Sequence, residues 1–357
     1  MGKLSPLASV AATREVLQAH GLATKKAFGQ NFLINDDVLA KIIDLAQVQG
    51  SDRVLEVGPG IGTLTIALLK HAGRVVSVER DADLPAVLAE TCAPWADRFA
   101  LIGKDALELS ADELRAAFAG LAGLEAEAQR AAGAPADCAD APMPNKFVAN
   151  LPYAVAATIV LDFFERFPSL QSATVMVQKE VADRMAAEPG TKNYGAYTVK
   201  LRLHAQPTGR FAVGPGNFFP PPHVDSAVIR LDRRTPDEVT AAARALAAEG
   251  VLLGCVGGPD ADDPAAGEAA GAAERALVRA TCLMADAAFA TRRKTLANSC
   301  KTFFAGRGAA GKRCAEQLPC LFEGAGVDPK RRGESLSLGE FVSLGATYLR
   351  LTCAEGC

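Results

Sequence analysis

The chain has 357 residues, enough for two domains and at least one large core, with 49% hydrophobic and 22% charged residues in ordinary globular proportion. No run of 18 apolar residues occurs, which excludes a transmembrane helix, and Met1–Gly21 lacks the apolar centre of a signal peptide. The formal net charge of -3 argues at first sight against a polyanionic partner, but it is unevenly spread. Residues 111–144 carry a balance of -4 and residues 236–275 one of -6, so setting both aside leaves +7 on the rest of the chain. The body can therefore present a basic face to nucleic acid.

In chain order, Asn35, Asp36 and Asp37 precede the spacing Val38, Leu39, Ile42, Ile43, Leu45, which predicts a capped amphipathic helix. Strands are predicted over Arg53–Val57, Arg74–Glu79, Phe99–Gly103, Phe147–Asn150 and Ala173–Gln178. Helices are predicted over Thr63–His71 and Val155–Phe167, and later strands near Arg210–Val213 and Ala227–Leu231. Strand and helix in alternation predict a parallel α/β sheet. The Ala/Gly-rich acidic segments 111–144 and 236–275 read as peripheral insertions, partly helical or disordered. From about residue 276 the apolar spacing is helical, so a smaller all-α domain is expected after the sheet domain. The division expected is a helical extension over 1–24, a sheet domain over 25–235 and a helical domain over 236–357.

Nine cysteines without a C-x-x-C pair, and four scattered histidines, read as reduced thiols without a zinc site, in a cytoplasmic protein.

The first chemistry-bearing pattern is Glu56-Val57-Gly58-Pro59-Gly60-Ile61-Gly62-Thr63, between a strand and a helix. Glycines let the backbone turn tightly and approach a ligand. Glu79 ends the next strand, where a carboxylate can accept both hydroxyls of a ribose. The loop is G-x-G-x-G and leaves nicotinamide and adenosylmethionine cofactors both open. Asp105, after the third strand, is placed either to accept from a cofactor adenine amine or to cap a helix.

Asn150-Leu151-Pro152-Tyr153 ends the fourth strand, at the edge where open α/β sheets bind ligands. An adenine amine is a poor nucleophile because its lone pair is delocalised. The Asn150 side-chain oxygen and the Leu151 carbonyl can accept its two protons and draw the nitrogen toward tetrahedral geometry. Pro152 stiffens the turn, and Tyr153 offers a face for an unstacked base. A sulfonium methyl donor leaves neutral, so such a site needs in-line positioning more than a strong base.

With these residues in place the sequence resembles the KsgA family of small-subunit ribosomal RNA adenine dimethyltransferases, whose signature is N-L-P-Y. Lys25–Leu33 resembles the family's F-G-Q-N-F-L stretch, and Gln178-Lys179-Glu180-Val181 its Q-K-E-V. Phe218–Val228 resembles F-x-P-P-P-x-V-D-S-A-V. Phe289–Ser299 resembles F-x-x-R-R-K-T-x-x-N-S, and Gly326–Pro329 with Arg332–Phe341 the closing motif. The likeness spans roughly residues 25–235 and 280–350.

The resemblance implies a Rossmann-like, class I methyltransferase sheet of seven strands followed by a C-terminal all-α domain. It implies S-adenosylmethionine as cofactor, touched by Asn31, Leu33, Gly58, Gly60, Glu79, Asp105 and Asn150. Asn150, Leu151, Pro152 and Tyr153 are the implied catalytic residues, and Tyr153 with Phe218 the base pocket. The implied reaction is dimethylation of two adjacent adenosines in a 3′-terminal hairpin of 16S rRNA, on a small-subunit assembly intermediate, by a monomer without membrane attachment. Arg292, Arg293, Lys294, Lys330, Arg331 and Arg332 are the expected phosphate contacts, the alternative being a solvated charged face. Competing expectations are a 23S rRNA methyltransferase of the macrolide-resistance type, a DNA adenine methyltransferase (which typically carries N-P-P-Y or D-P-P-Y) and a non-catalytic ribosome-binding factor.

Overall fold

A computed structural model of the protein describes residues 2–23, 30–131, 143–249, 251 and 264–354. Residues 25–29 of the N-terminal motif, and the rest of both acidic segments, lie outside them. The chain divides into two compact units, Met1–Ala182 with Pro207–Arg233, and Asp183–Gln206 with Arg234–Cys357.

The first unit begins with α1 (Val10–Ala19), β1 (Phe32–Leu33) and α2 (Asp36–Ala46). Asn35 caps α2 by accepting from the N–H groups of Asp37 and Val38, as its sequence predicts. The Asp36 carboxylate accepts from the backbone of Leu4 and Ser5 at 2.9 Å, tying the N-terminal segment to α2. There follow β2 (Arg53–Val57), α3 (Thr63–Leu69), β3 (Arg74–Glu79), α4 (Leu84–Thr91), β4 (Phe99–Gly103) and α5 (Ala111–Ala131). Then come β5 (Lys146–Asn150), α6 (Ala156–Arg166), β6 (Ser172–Gln178), α7 (Lys179–Met185) and α8 (Ala196–Arg202). After these lie β7 (Ala205–Val213), β8 (Phe218–Phe219) and β9 (Ser226–Arg233).

Seven strands form one sheet in the order β4-β3-β2-β5-β6-β9-β7. β2 pairs in parallel with β3 and β5, as does β3 with β4 and β5 with β6, whereas β9 returns antiparallel to β6. The strands are near-continuous apolar runs because helices cover the parallel core. Chain direction across the sheet reverses between β2 and β5, so the loops after these two strands open side by side. β1 and β8 form a separate antiparallel ribbon, with Phe32 opposite Phe219 and Leu33 opposite Phe218.

At the other end of β2 a buried ion pair joins neighbouring strands. Lys146 Nζ lies 2.9 Å from Asp52 and also donates to the carbonyls of Ala46 and Gln47. Asn145 donates to the second Asp52 oxygen at 2.7 Å. Burial pushes the Asp52 carboxyl up, but the hydrogen bonds from Lys146, Gln49 and Asn145 outweigh it and leave it below its usual range.

Two expectations need correction. The 111–144 segment was expected as a peripheral insertion, yet its first half is the core-packed helix α5. Leu114, Phe118 and Leu121 are 0%, 0% and 3% exposed and recur at helical spacing. Abundant alanine hides this stripe, since alanine suits either face of a helix. In the 236–275 segment, α9 (Asp237–Ala248) likewise buries Val239, Ala243 and Leu246.

The second unit is all-helical. It holds α8, α9, α10 (Pro264–Phe289), α11 (Leu296–Ala305), α12 (Gly308–Ala325) and α13 (Leu338–Ala354). Its core includes Met284, Leu296, Cys300, Phe322, Phe341 and Leu344. α10 and α13 cross closely at Gly345, where an added Cβ would stand 2.5 Å from Thr281 Oγ1. Asp183–Gln206 was expected inside the sheet domain but packs with this unit. Tyr194 donates to the Leu336 carbonyl at 3.0 Å, and Lys200 pairs with Asp286 at 2.8 Å. These partners lie 86 or more positions away in sequence, beyond the reach of local patterning. No helix among the described residues is long and apolar enough to cross a membrane.

Candidate active site

The loops after β2, β3, β4 and β5 surround a cavity of about 550 Å³ in the first unit. The glycine loop forms its floor. Gly58, Gly60 and Gly62 all take positive φ (70°, 59° and 93°), a region that L side chains rarely enter. At Gly60 a Cβ would also stand 3.1 Å from the Phe32 ring, so the N-terminal motif packs directly on the bare loop.

Glu79 lies at the end of β3, on the cavity wall. Burial raises its carboxyl above the usual range, while backbone N–H groups of Asp81, Gly60 and Arg80 hold it by hydrogen bonds, the first at 2.8 Å. Asp105 also lines the cavity. One oxygen accepts from the Leu107 backbone at 3.0 Å, and the other pairs with Arg80 at 3.0 Å. Both partners hold its carboxyl below the ordinary value. The capping geometry open from sequence is thus present, and it coexists with a place on the cavity wall.

Asn150 ends β5, and the turn behind it is pinned where Leu151 N–H donates to the Met176 carbonyl at 3.0 Å. Asn150 Nδ2 donates to the Asn31 carbonyl at 3.3 Å, which leaves Oδ1 as the acceptor atom of that side chain. Leu151, Pro152 and Tyr153 line the same cavity, as do Asn31 and Leu33. Phe218 does not; it is 2% exposed, buried in the core opposite Leu33. The ribbon β1–β8 explains this, since pairing with Leu33 points Phe218 into the apolar interior.

Several lining residues escaped the sequence reading. Gln30 donates to the buried Asp81 at 2.8 Å and so anchors the start of the N-terminal motif. Lys104 pairs with Glu113 of α5 at 2.8 Å. Glu56, on β2, is 1% exposed, and its Oε2 accepts from Ser77 and Thr65 at 2.6 and 2.7 Å. Its Oε1, together with Thr63 Oγ1, has no hydrogen-bond partner, although both residues line the cavity. Burial pushes the Glu56 carboxyl up to about 7. The positions of Glu56 and Gln30 inside recognised motifs were the available signals for these two.

A cavity of this volume suits a small cofactor. Carboxylates at the ends of β3 and β4, a glycine floor and two unpartnered buried acceptor-capable atoms fit a polar nucleoside with a charged tail. Six basic residues of the second unit stand apart from this chemistry. Arg331 pairs with Glu340, and Arg292 and Arg332 approach Glu334 at 3.6 and 3.8 Å. Arg293, Lys294 and Lys330 are exposed and make no ion pair among the described residues.

The ribosomal RNA adenine dimethylase family model matches residues 21–244. The chain is 37% identical over 343 residues to ribosomal RNA small subunit methyltransferase A of Corynebacterium jeikeium, covering 94% of each chain. It is 36% identical over 339 residues to the protein of the same name from Geobacillus kaustophilus, covering 95% of each. Among solved structures, a dimethyladenosine transferase from Plasmodium falciparum superposes with a TM-score of 0.61 at 20% identity, over 88% of this chain and 95% of that one. The 23S rRNA methyltransferase ErmE does so with 0.53 at 21% identity, over 89% and 99%. These two likenesses speak to the fold. The sequence matches decide the family: the chain belongs to the ribosomal RNA adenine dimethylases, enzymes that take their methyl group from S-adenosylmethionine.

Proposed function

We propose that this chain dimethylates the exocyclic amines of two adjacent adenosines in a 3′-terminal hairpin of 16S rRNA, acting on a small-subunit assembly intermediate in the cytoplasm. The observation that carries the reading is the convergence of Asn150, Leu151 and Tyr153 on the cavity that the glycine loop, Glu79 and Asp105 line. Relatives named small subunit methyltransferase A support the choice of RNA.

Bound S-adenosylmethionine supplies an electrophilic methyl on a leaving group that departs neutral. The chain's residues then have three tasks. Glu79 would accept from the ribose hydroxyls and Asp105 from the adenine amine of the cofactor, and Asn31, Leu33, Gly58 and Gly60, which line the same cavity, would help to hold it. Asn150 Oδ1 and the Leu151 carbonyl accept from the target amine, so that its lone pair leaves the ring as nitrogen rehybridises. Pro152 fixes the turn and Tyr153 stacks the unpaired base. No residue needs to act as a strong base, because the alkylated amine loses its proton to solvent readily.

The chain is taken to act as a monomer, with the cavity lined by its first unit. Phosphate contacts fall to the basic runs of the helical unit, first to Arg293, Lys294 and Lys330, with Arg292, Arg331 and Arg332 available once their glutamates are displaced.

The test is labelled methyl transfer to unmethylated small subunits, with naked 23S rRNA and DNA in parallel, followed by nucleoside analysis. Close to two dimethyladenosines per small subunit is expected. Label on 23S rRNA or on DNA instead would overturn the substrate, and no label from protein that binds the cofactor would overturn the activity.

A further inference from the structure

The run Phe218–Val228 contributes to the site through one atom that the proposed mechanism leaves unused. Tyr153 Oη and Ser226 Oγ lie 2.6 Å apart, across 73 residues of sequence. Ser226 is fully buried and opens β9, opposite Gln178 at the end of β6. The Lys179 N–H donates to the Asp225 carbonyl at 2.9 Å, so the backbone around Ser226 is held by the sheet ladder on one side and by this bond on the other. Tyr153 takes its backbone support from the turn alone, where the Val155 N–H donates to the Pro152 carbonyl at 3.2 Å. It sits in the turn after β5, half-buried, and its ring can rotate about two side-chain torsions. A hydrogen bond at the far end of the ring, to the hydroxyl of a β9 residue, restrains the swing of the ring about the first of these torsions, and the in-plane preference of the phenolic O–H biases the second.

We infer that Ser226 is a positioning residue that locks the Tyr153 ring, and that this lock matters most for the second methyl transfer to each adenine. The inference rests on the stacking role proposed for Tyr153. An unmethylated amine offers two N–H donors, one for Asn150 Oδ1 and one for the Leu151 carbonyl. A monomethylated amine has a single N–H and carries more bulk, so one of these hydrogen bonds is gone. Stacking then bears a larger share of holding the base in line, and a ring free to tilt places it less accurately. One misplaced ångström is enough to lower a positioned transfer substantially. Loss of the lock should therefore slow the second transfer more than the first and let monomethyladenosine accumulate.

The experiment compares wild type, Ser226→Ala, Tyr153→Phe and the double variant on unmethylated small subunits with labelled S-adenosylmethionine, scoring mono- and dimethyladenosine over time. Tyr153→Phe keeps the ring and removes only the oxygen. Each single variant is expected to slow the second transfer about tenfold, the size of one net hydrogen bond, with a smaller effect on the first. The double variant should be no worse than either single one, because both remove the same contact. A wild-type ratio of mono- to dimethyladenosine in Tyr153→Phe, or a double effect equal to the product of the singles, would overturn the inference. If Ser226→Ala does not fold, Tyr153→Phe alone decides by the same ratio. Absence of any methyladenosine from wild type would instead overturn the underlying activity, and this inference with it.

Discussion

Asn31 and Asn150, 119 residues apart, meet where the Asn150 side-chain nitrogen donates to the Asn31 carbonyl at 3.3 Å. The contact sorts the two ends of one amide. Its nitrogen is committed to the backbone of the N-terminal motif, and its oxygen is the end that can accept from an incoming amine. The same motif is strapped down by the β1–β8 ribbon and by Gln30 on Asp81, so the orientation of Asn150 depends on how this segment docks.

Replacement of Asn150 by alanine removes the acceptor that strengthens as the amine rehybridises. Turnover should fall about 10²–10³-fold, the scale seen when one preorganised hydrogen-bonding group is deleted from an active site. RNA affinity should stay near wild type in a filter-binding assay, and an unchanged kcat would remove Asn150 from the mechanism.

Glu56 makes stability depend on pH in a direction unusual for a carboxylate. Burial raises its folded pKa to about 7, from an ordinary value of 4.5. Between these values the folded protein keeps a proton that the unfolded chain has lost. The contribution is therefore full below pH 4.5 and is lost as pH rises through 7, amounting to about 3 kcal/mol. Glu56→Gln should remove this slope, so the stability difference between variant and wild type should grow by that amount from pH 4.5 to 8. Urea unfolding followed by Trp95, the chain's single tryptophan and part of the sheet unit, is the measurement; a pH-independent difference would contradict it.

Lys146→Met should destabilise the sheet unit by about 3–5 kcal/mol, because it strands the buried Asp52 without its cation. Adding Asp52→Asn to that variant should recover much of the loss. A single variant within 1 kcal/mol of wild type in the same Trp95 assay, a figure typical of exposed pairs, would show that water reaches the pair.

Arg293→Gln with Lys294→Gln probes the helical unit without touching the sheet unit. Two lost phosphate contacts should make the slope of log Kd against log salt shallower by about 1.4–1.8, and weaken RNA binding at low salt. An unchanged slope would assign both side chains to a solvated face.

How much of this was legible in the sequence follows from the range over which each feature is decided. The glycine loop, Glu79, Asp105 and N-L-P-Y could be read directly, since each is a contiguous pattern whose chemistry depends on residue type and on its place at a strand end. The strands of the seven-stranded sheet were legible to within a residue or two, apart from β7, because buried strands are near-continuous apolar runs, whereas the two-residue strands β1 and β8 are too short to show a pattern and were not predicted. β7 begins at Ala205, five residues before the expected start, where its alternation of partly exposed residues gives little apolar signal. Helicity in the 111–144 segment was expected, but the core packing of α5 was not legible, because alanine-rich sequence dilutes the stripe of Leu114, Phe118 and Leu121 that packs it on the sheet.

What the sequence by itself determined, then, is the class of sheet, the cofactor loop and the acceptor chemistry at the end of β5, all of them properties of short stretches. Only the tertiary structure decided which distant side chains serve those stretches. It turned Phe218 into the core opposite Leu33, gave Tyr153 a buried hydroxyl to hold, set Asn31 against Asn150 and moved Asp183–Gln206 into the helical unit. Each of these depends on strand order and on packing between elements tens to hundreds of residues apart, where one sequence carries no periodicity to read.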